Sequence, residues 1–180
     1  MDLTAYDKVY VAGYQLCGES GHEMAQWLGS LTEQLLFFAP GPVIGQIAPE
    51  VKNTIYACHP VLHLNEKEAA EETGESDPQA AARRLYEKTG NLVIVTLGAK
   101  GALFYDGSTY HTIPSIATEV ADTIGAGDSH LGAVIGGLCR GYDVERAIRF
   151  ANRVADEIVR IQGPTMDKEQ FEKRMGERDE

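Results

Sequence analysis

Apolar, β-prone runs alternate with amphipathic stretches along this chain. That alternation predicts an α/β protein built on one open, mostly parallel sheet flanked by helices. Val9-Tyr10-Val11-Ala12 reads as a buried strand, and Met24, Trp27, Leu28 and Leu31 recur at helical spacing over residues 20–31. Leu35 to Ala39 reads as the next strand, closed by the breaker Pro40-Gly41-Pro42. A helix over 49–57 opens on Pro49, a favourable early position. Val61 to Leu64 is a short strand, and Asn65 to Glu72 a helix that stops at Gly74. A further helix spans 78–89 with Gly90 just past its end, and Leu92 to Thr96 is a buried strand. Beyond a turn at Gly98 and Gly101, Ala102–Tyr105 and Tyr110–Ile113 form a hairpin around Asp106-Gly107. Helices of about 128–139 and 143–162 follow, separated by Gly141. No repeat, low-complexity block or linker breaks residues 1–165, which read as one domain. The charged tail, 166–180, holds one short helix over 167–175.

Composition narrows the partners. Sixteen basic against 27 acidic residues give a net charge of −11, which argues against a nucleic-acid or anionic-membrane surface. No apolar stretch is long enough to span a bilayer, and no basic leader precedes an apolar run. Cys17, Cys58 and Cys139 are far apart and form neither a metal spacing nor an even disulfide set, so a cytoplasmic location is expected. His59 and His63 are four apart, but Pro60 between them disfavours a continuous helix and no third ligand presents itself. Structural or surface roles are the better reading of the histidines, and Trp27 and the tyrosines read as core or rim.

The chemistry concentrates at residues 122–133, Asp-Thr-Ile-Gly-Ala-Gly-Asp-Ser-His-Leu-Gly-Ala. Gly125, Ala126 and Gly127 leave almost no side chain ahead of an apolar helix beginning at about Asp128. Bare N–H groups at a helix start attract anions, because unpaired donors and the positive end of the dipole point the same way. Asp128 has two roles open to it: helix cap, which spacing alone favours, or proton acceptor for a nucleophile attacking a bound phosphate. Asn65 and Glu68 are a capping box by type and spacing. Asp122 is a turn residue bonding its own backbone. Gly98 to Gly101 is a β-turn ahead of the hairpin, and neither a P-loop nor a dinucleotide fingerprint occurs anywhere.

Four segments in order change the weight of these alternatives. Asp122-Thr123-x-Gly125-Ala126-Gly127-Asp128 followed by Gly132-Ala133 resembles the second signature of the ribokinase-like (pfkB) family of carbohydrate and nucleoside kinases. Asn65-Glu66-Lys67-Glu68 resembles its Asn-x-x-Glu motif, Val95 to Gly101 its nucleotide-binding turn, and Phe150-Ala151-Asn152 the helix lining its adenine pocket. The resemblance implies an ATP-dependent phosphotransferase acting on a sugar or nucleoside hydroxyl. In it Asp128 is the base, and Gly125, Ala126 and Gly127 supply the anion hole. Thr96, Gly98, Gly101 and Asn152 border the nucleotide, Asn65 and Glu68 order water around Mg²⁺, and Asp122 lies near a site for a monovalent cation such as K⁺. His130 stands where the family usually has an aromatic residue, which leaves the acceptor open.

Family members are longer than this chain. Their N-terminal portion carries a Gly-Gly signature, most sugar-binding residues and a small β-sheet lid, and this sequence is expected to start after those elements. The expectations that follow are little or no activity alone and a homodimer or other assembly that covers an exposed sheet edge. The alternative is a catalytically silent nucleotide-binding or interaction module that keeps the fold.

Overall fold

A computed structural model describes residues 6–116, 119–163 and 166–176. The boundary between domain and tail expected at residue 165, and the last four residues of that tail, lie outside the described residues. The described residues form two compact units. One holds those up to Thr96 together with Leu103–His111; the other holds Leu97–Ala102 and those from Thr112 onward.

The first unit carries the sheet apart from Ala102 of its fifth strand and Thr112 and Ile113 of its sixth. Strands β1 (Lys8–Ala12), β2 (Leu35–Ala39), β3 (Val61–Asn65), β4 (Val93–Thr96), β5 (Ala102–Tyr105) and β6 (Tyr110–Ile113) lie side by side in chain order. The first four are mutually parallel. The four-residue turn between β5 and β6 makes that pair antiparallel, since parallel neighbours need a longer crossover. The open, mostly parallel sheet read from the sequence is therefore present. Central strands are apolar along their length because both faces are covered: Phe37, Phe38, Leu62, Val93, Ile94 and Val95 are wholly buried. Each such side chain contributes about 1.5–3 kcal/mol relative to leaving it in water. Among the described residues β1 pairs only with β2, and its Tyr10 is 44% exposed.

Helices α1 (Ser20–Gly29), α2 (Pro49–Tyr56), α3 (Glu66–Thr73) and α4 (Pro78–Thr89) fill the crossovers between the parallel strands. Their ends follow the sequence signals. Asn65 and Asp77 cap α3 and α4 through their side chains, and Gly74 and Gly90 close them in the left-handed conformation. Pro40-Gly41-Pro42 ends β2 as read, and the chain continues as a 3-10 helix over Gly41–Gln46. A single carboxylate fastens three helices: Glu72 of α3 meets Lys52 of α2 at 2.6 Å and Lys88 of α4 at 2.7 Å. Burial opposes ionisation of Glu72, yet the hydrogen bonds from the two lysines outweigh it and hold its carboxyl below the usual value.

The second unit holds α5 (Ala126–Cys139), α6 (Val144–Ile158) and α7 (Lys168–Gly176). Ala147, Ile148, Ala151, Val154 and Ile158 recur at spacings of one, three and four along α6 and are buried. They form the apolar stripe that α5 packs on. Gly137 of α5 sits against Ala147, where an added Cβ would lie 3.2 Å from the Ala147 backbone. α6 ends four residues earlier than the sequence pattern predicts, at Ile158. Glu157 near its end has a side chain only 4% exposed and pairs with Arg160 at 3.3 Å and Arg174 of α7 at 3.0 Å.

Because its folded value is lowered, Glu72 stabilises the fold above its ordinary value of 4.5, and that contribution is lost as pH falls through the lowered one. Glu72→Gln should cost about 1.5–3 kcal/mol at pH 7, the range for hydrogen bonds to charged groups. Urea unfolding of both proteins checks this, with the difference shrinking in strong acid.

Candidate active site

The start of α5 is built from backbone. Gly125 occupies the N-cap position at φ 79° and accepts from the Ser129 N–H at 2.9 Å. A side chain is strained in that left-handed conformation, which explains the glycine. Ala126 N–H reaches Thr123 O at 3.3 Å. Among the described residues, no protein acceptor takes the N–H groups of Gly125, Gly127 or Asp128. A Cβ on Gly127 would meet nothing within 4 Å. Unpaired donors therefore face open space at the positive end of a fourteen-residue helix.

Helix α5 begins two residues earlier than the sequence pattern places it, at Ala126. This corrects the capping alternative for Asp128: Gly125 is the cap, no side chain caps this helix, and Asp128 lies in the first turn. The Asp128 side chain is exposed and accepts no hydrogen bond from a described residue. A carboxylate beside unpaired amides, free of structural duty, is suited to accept a proton from a group drawn toward those amides.

Asp122 sets the approach to this turn. Its Oδ1 accepts from Ile124 N–H at 3.0 Å and its Oδ2 from Gly163 N–H at 3.2 Å. Those backbone bonds, Ile124 foremost, hold its carboxyl below the ordinary carboxylate value. The turn reading holds, and one carboxylate joins the loop before α5 to the segment after α6.

Buried polar groups carry the scaffold behind the turn. His130 (3% exposed) meets Asn152 Oδ1 through Nε2 at 3.0 Å, and Asn152 Nδ2 donates to Ile113 O at 2.9 Å and Pro114 O at 3.3 Å. Four residues along the same face of α6, buried Asp156 accepts from Ser115 Oγ and, at 2.9 Å, from Ile116 N–H. Asn152 thus uses its amide to hold the 113–114 backbone and lies 5% exposed. His130 faces Asn152 of α6. Burial drives its imidazole down to about 4, against the smaller opposing pull of Asn152 and Asp156. Sequence reasoning missed Asp156. The signal was an acidic residue inside the apolar stripe of α6, four positions after Asn152.

Gly98 and Gly101 bracket a 3-10 turn in which Leu97 N–H reaches Gly101 O at 2.7 Å. Gly101 lies against the Asn152-held segment so closely that a Cβ would be 2.0 Å from Ile113 O. In the other unit, Asn65 and Thr96 are register partners at the ends of β3 and β4, and Thr96 Oγ1 lies 3.4 Å from Leu64 O. Asn65 and Glu68 form the expected capping box. Glu68 N–H donates to Asn65 Oδ1 at 2.9 Å, Asn65 N–H to Glu68 Oε2 at 3.1 Å, and Asn65 Nδ2 to Glu68 Oε1 at 2.7 Å. Among the described residues no cluster of three His, Cys, Asp or Glu side chains offers a direct metal site, and no helix is long and apolar enough to cross a membrane.

Parallel strands joined by helical crossovers define an open-sheet α/β fold. Residues 1–170 match the pfkB family carbohydrate kinase description, and the chain belongs to that family. It is 36% identical over 159 residues to an uncharacterized sugar kinase, YegV, of Escherichia coli K12, covering 86% of this chain and 50% of that protein. It is 37% identical over 105 residues to the cytidine kinase of Thermococcus kodakarensis, covering 57% and 38%. The crystal structure of ribokinase from Thermotoga maritima superposes with a TM-score of 0.78 at 25% identity, covering 97% of this chain and 58% of the other. The chain spans half or less of the length of these two curated relatives.

Because folded His130 binds its proton only near pH 4 and the unfolded imidazole near 6.5, stability should fall as pH drops between those values. The slope is at most about 1.4 kcal/mol per pH unit. His130→Gln, which keeps a donor toward Asn152 but does not titrate, should lose that component in urea unfolding at pH 7, 6 and 5.

Proposed function

We propose that this chain is the nucleotide-binding and phosphoryl-transfer portion of an ATP-dependent kinase whose acceptor is a hydroxyl of a sugar or nucleoside. The observation that carries this reading is the start of α5: unpaired N–H groups of Gly125, Gly127 and Asp128 beside an exposed, unbonded Asp128 carboxylate. The relatives support both acceptor classes, since one is a sugar kinase and another a cytidine kinase.

In this reading the acceptor oxygen attacks the γ-phosphorus of ATP while the bond to the bridging oxygen breaks and ADP departs. Asp128 accepts the hydroxyl proton. The amides of Gly125, Gly127 and Asp128, with the helix dipole, stabilise the charge on the transferred group, while the Ala126 N–H, directed to Thr123 O, helps hold the turn. Thr96, Gly98 and Gly101 border ribose and phosphates. Asn152 contributes indirectly, by fixing the 113–114 backbone against which Gly101 turns. Mg²⁺ would screen the phosphate oxygens. Asn65 and Glu68 suit a water-mediated hold on it because their mutual bonds fix a carboxylate at the end of β3. Asp122 is the group nearest a K⁺ role, through the loop it joins to Gly163. The free thiols of Cys17, Cys58 and Cys139 fit a reducing cytoplasm.

Asp128→Asn should leave ATP·Mg²⁺ binding within about twofold by calorimetry and lower turnover by about a hundredfold or more. A coupled ADP assay over sugars and nucleosides reads the second quantity, and equal turnover by the two proteins would remove Asp128 from the role. ATP binding with no turnover on any acceptor would identify a silent nucleotide-binding module.

Among the described residues β1 pairs only with β2, which supports a homodimer or other assembly that covers this edge. Light scattering should return at least twice the 19.6 kDa chain mass. Tyr10→Pro, which cannot pair, should return the monomer; a wild-type monomer at high concentration would dismiss the assembly.

A further inference from the structure

A cavity of about 610 Å³ lies among the end of α5, the α6 residues up to Arg153 and α7, and four arginines with no lysine line it: Arg140, Arg146, Arg149 and Arg153. In a chain of net charge −11 this is an unusual concentration of positive charge, and like charges around one hollow repel unless an anion offsets them. The described residues offset part of it. Arg149 donates to Glu145 at 2.7 Å, and Arg153 to the Met175 carbonyl at 3.2 Å. Glu172, the sole carboxylate among the lining residues, faces Lys168 at 3.6 Å. Among the described residues Arg140 and Arg146 meet no carboxylate. The Arg146 guanidinium instead lies 3.9 Å over the Tyr142 ring, which holds its fork in place at little entropic cost. Tyr142 and Phe150 stand edge to face at 6.3 Å and add an apolar wall.

We propose that this hollow binds a small phosphorylated metabolite, with Arg140 and Arg146 taking phosphate oxygens and Tyr142 and Phe150 packing the organic part. Guanidinium forks, unlike ammonium groups, match phosphate two bonds at a time. The volume is that of a small-molecule site, and its concave form suits a compact ligand better than a polymer. The site is separate from the start of α5. Arg140 follows Asp128 by twelve residues, roughly 18 Å along the helix axis at 1.5 Å per residue. Phosphorylated ligands at the two places are therefore distinguishable by mutation.

Calorimetry on the full chain with inorganic phosphate, ribose 5-phosphate and hexaglutamate tests the assignment. Saturable binding of phosphate and tighter binding of ribose 5-phosphate are expected. Arg140→Gln should weaken both about tenfold, and Arg140→Gln with Arg146→Gln further still. Arg83→Gln with Arg84→Gln, an equal loss of charge elsewhere, should change neither. ATP·Mg²⁺ binding should be the same in all these proteins, so loss of the kinase reading and loss of this one give different results. The assignment is overturned if neither phosphate compound saturates below ~10 mM, if the Arg140/Arg146 double variant binds as wild type does, or if hexaglutamate binds more tightly than either.

Discussion

One side chain amide organises the second unit. Asn152 accepts from a buried imidazole on α5 and donates to two consecutive carbonyls at the end of β6, so three elements share its position. His130 and Ile113 are buried, and losing the Asn152 amide would leave their polar atoms without water or a substitute. Asp156 repeats the arrangement one helical turn later through Ser115 and Ile116. Together they hold residues 113–116 as a fixed rail. Gly101 packs on that rail so tightly that no other residue type fits. The turn after β4 therefore depends on two polar residues in an otherwise apolar face of α6. The same His130 that supports Asn152 lies two residues beyond Asp128, so the first turns of α5 are anchored by the network that fixes the rail.

The elements of the first unit were legible because each carries its own local signal. Pro49 and Pro78 open helices, Gly74 and Gly90 close them, and the apolar strands are bounded by turn residues. The pairing of Asn65 with Glu68 was readable for the same reason, since both partners lie within one helical turn. The Asp106-Gly107 hairpin also appears at the residues read for it.

What escaped is non-local. Spacing placed the start of α5 at Asp128 because Gly and Ala are poor markers of a boundary, whereas the backbone begins the helix at Ala126 with a left-handed Gly125. That shift frees Asp128 from the capping duty its residue type suggested. Asn152 and His130 were singled out, yet nothing nearby in sequence tells that they face each other across 22 residues. Asp156 and the arginine-lined cavity were not found at all, because both arise from residues brought together only when α6 is packed.

The pairing of Glu157 with Arg174 has a consequence for how this molecule comes apart. Met175 is the single buried residue of α7, which meets α6 through the Glu157–Arg174 ion pair and the Arg153 bond to the Met175 carbonyl. A helix tethered this way forms its own cooperative unit, opening at a lower free energy than the packed α5–α6 pair. Amide exchange along the C-terminal helix would accordingly run ahead of exchange in its neighbours. The arginine-lined hollow, which borrows Phe171 and Met175 for a wall, would form and dissolve with each closure and opening of that helix.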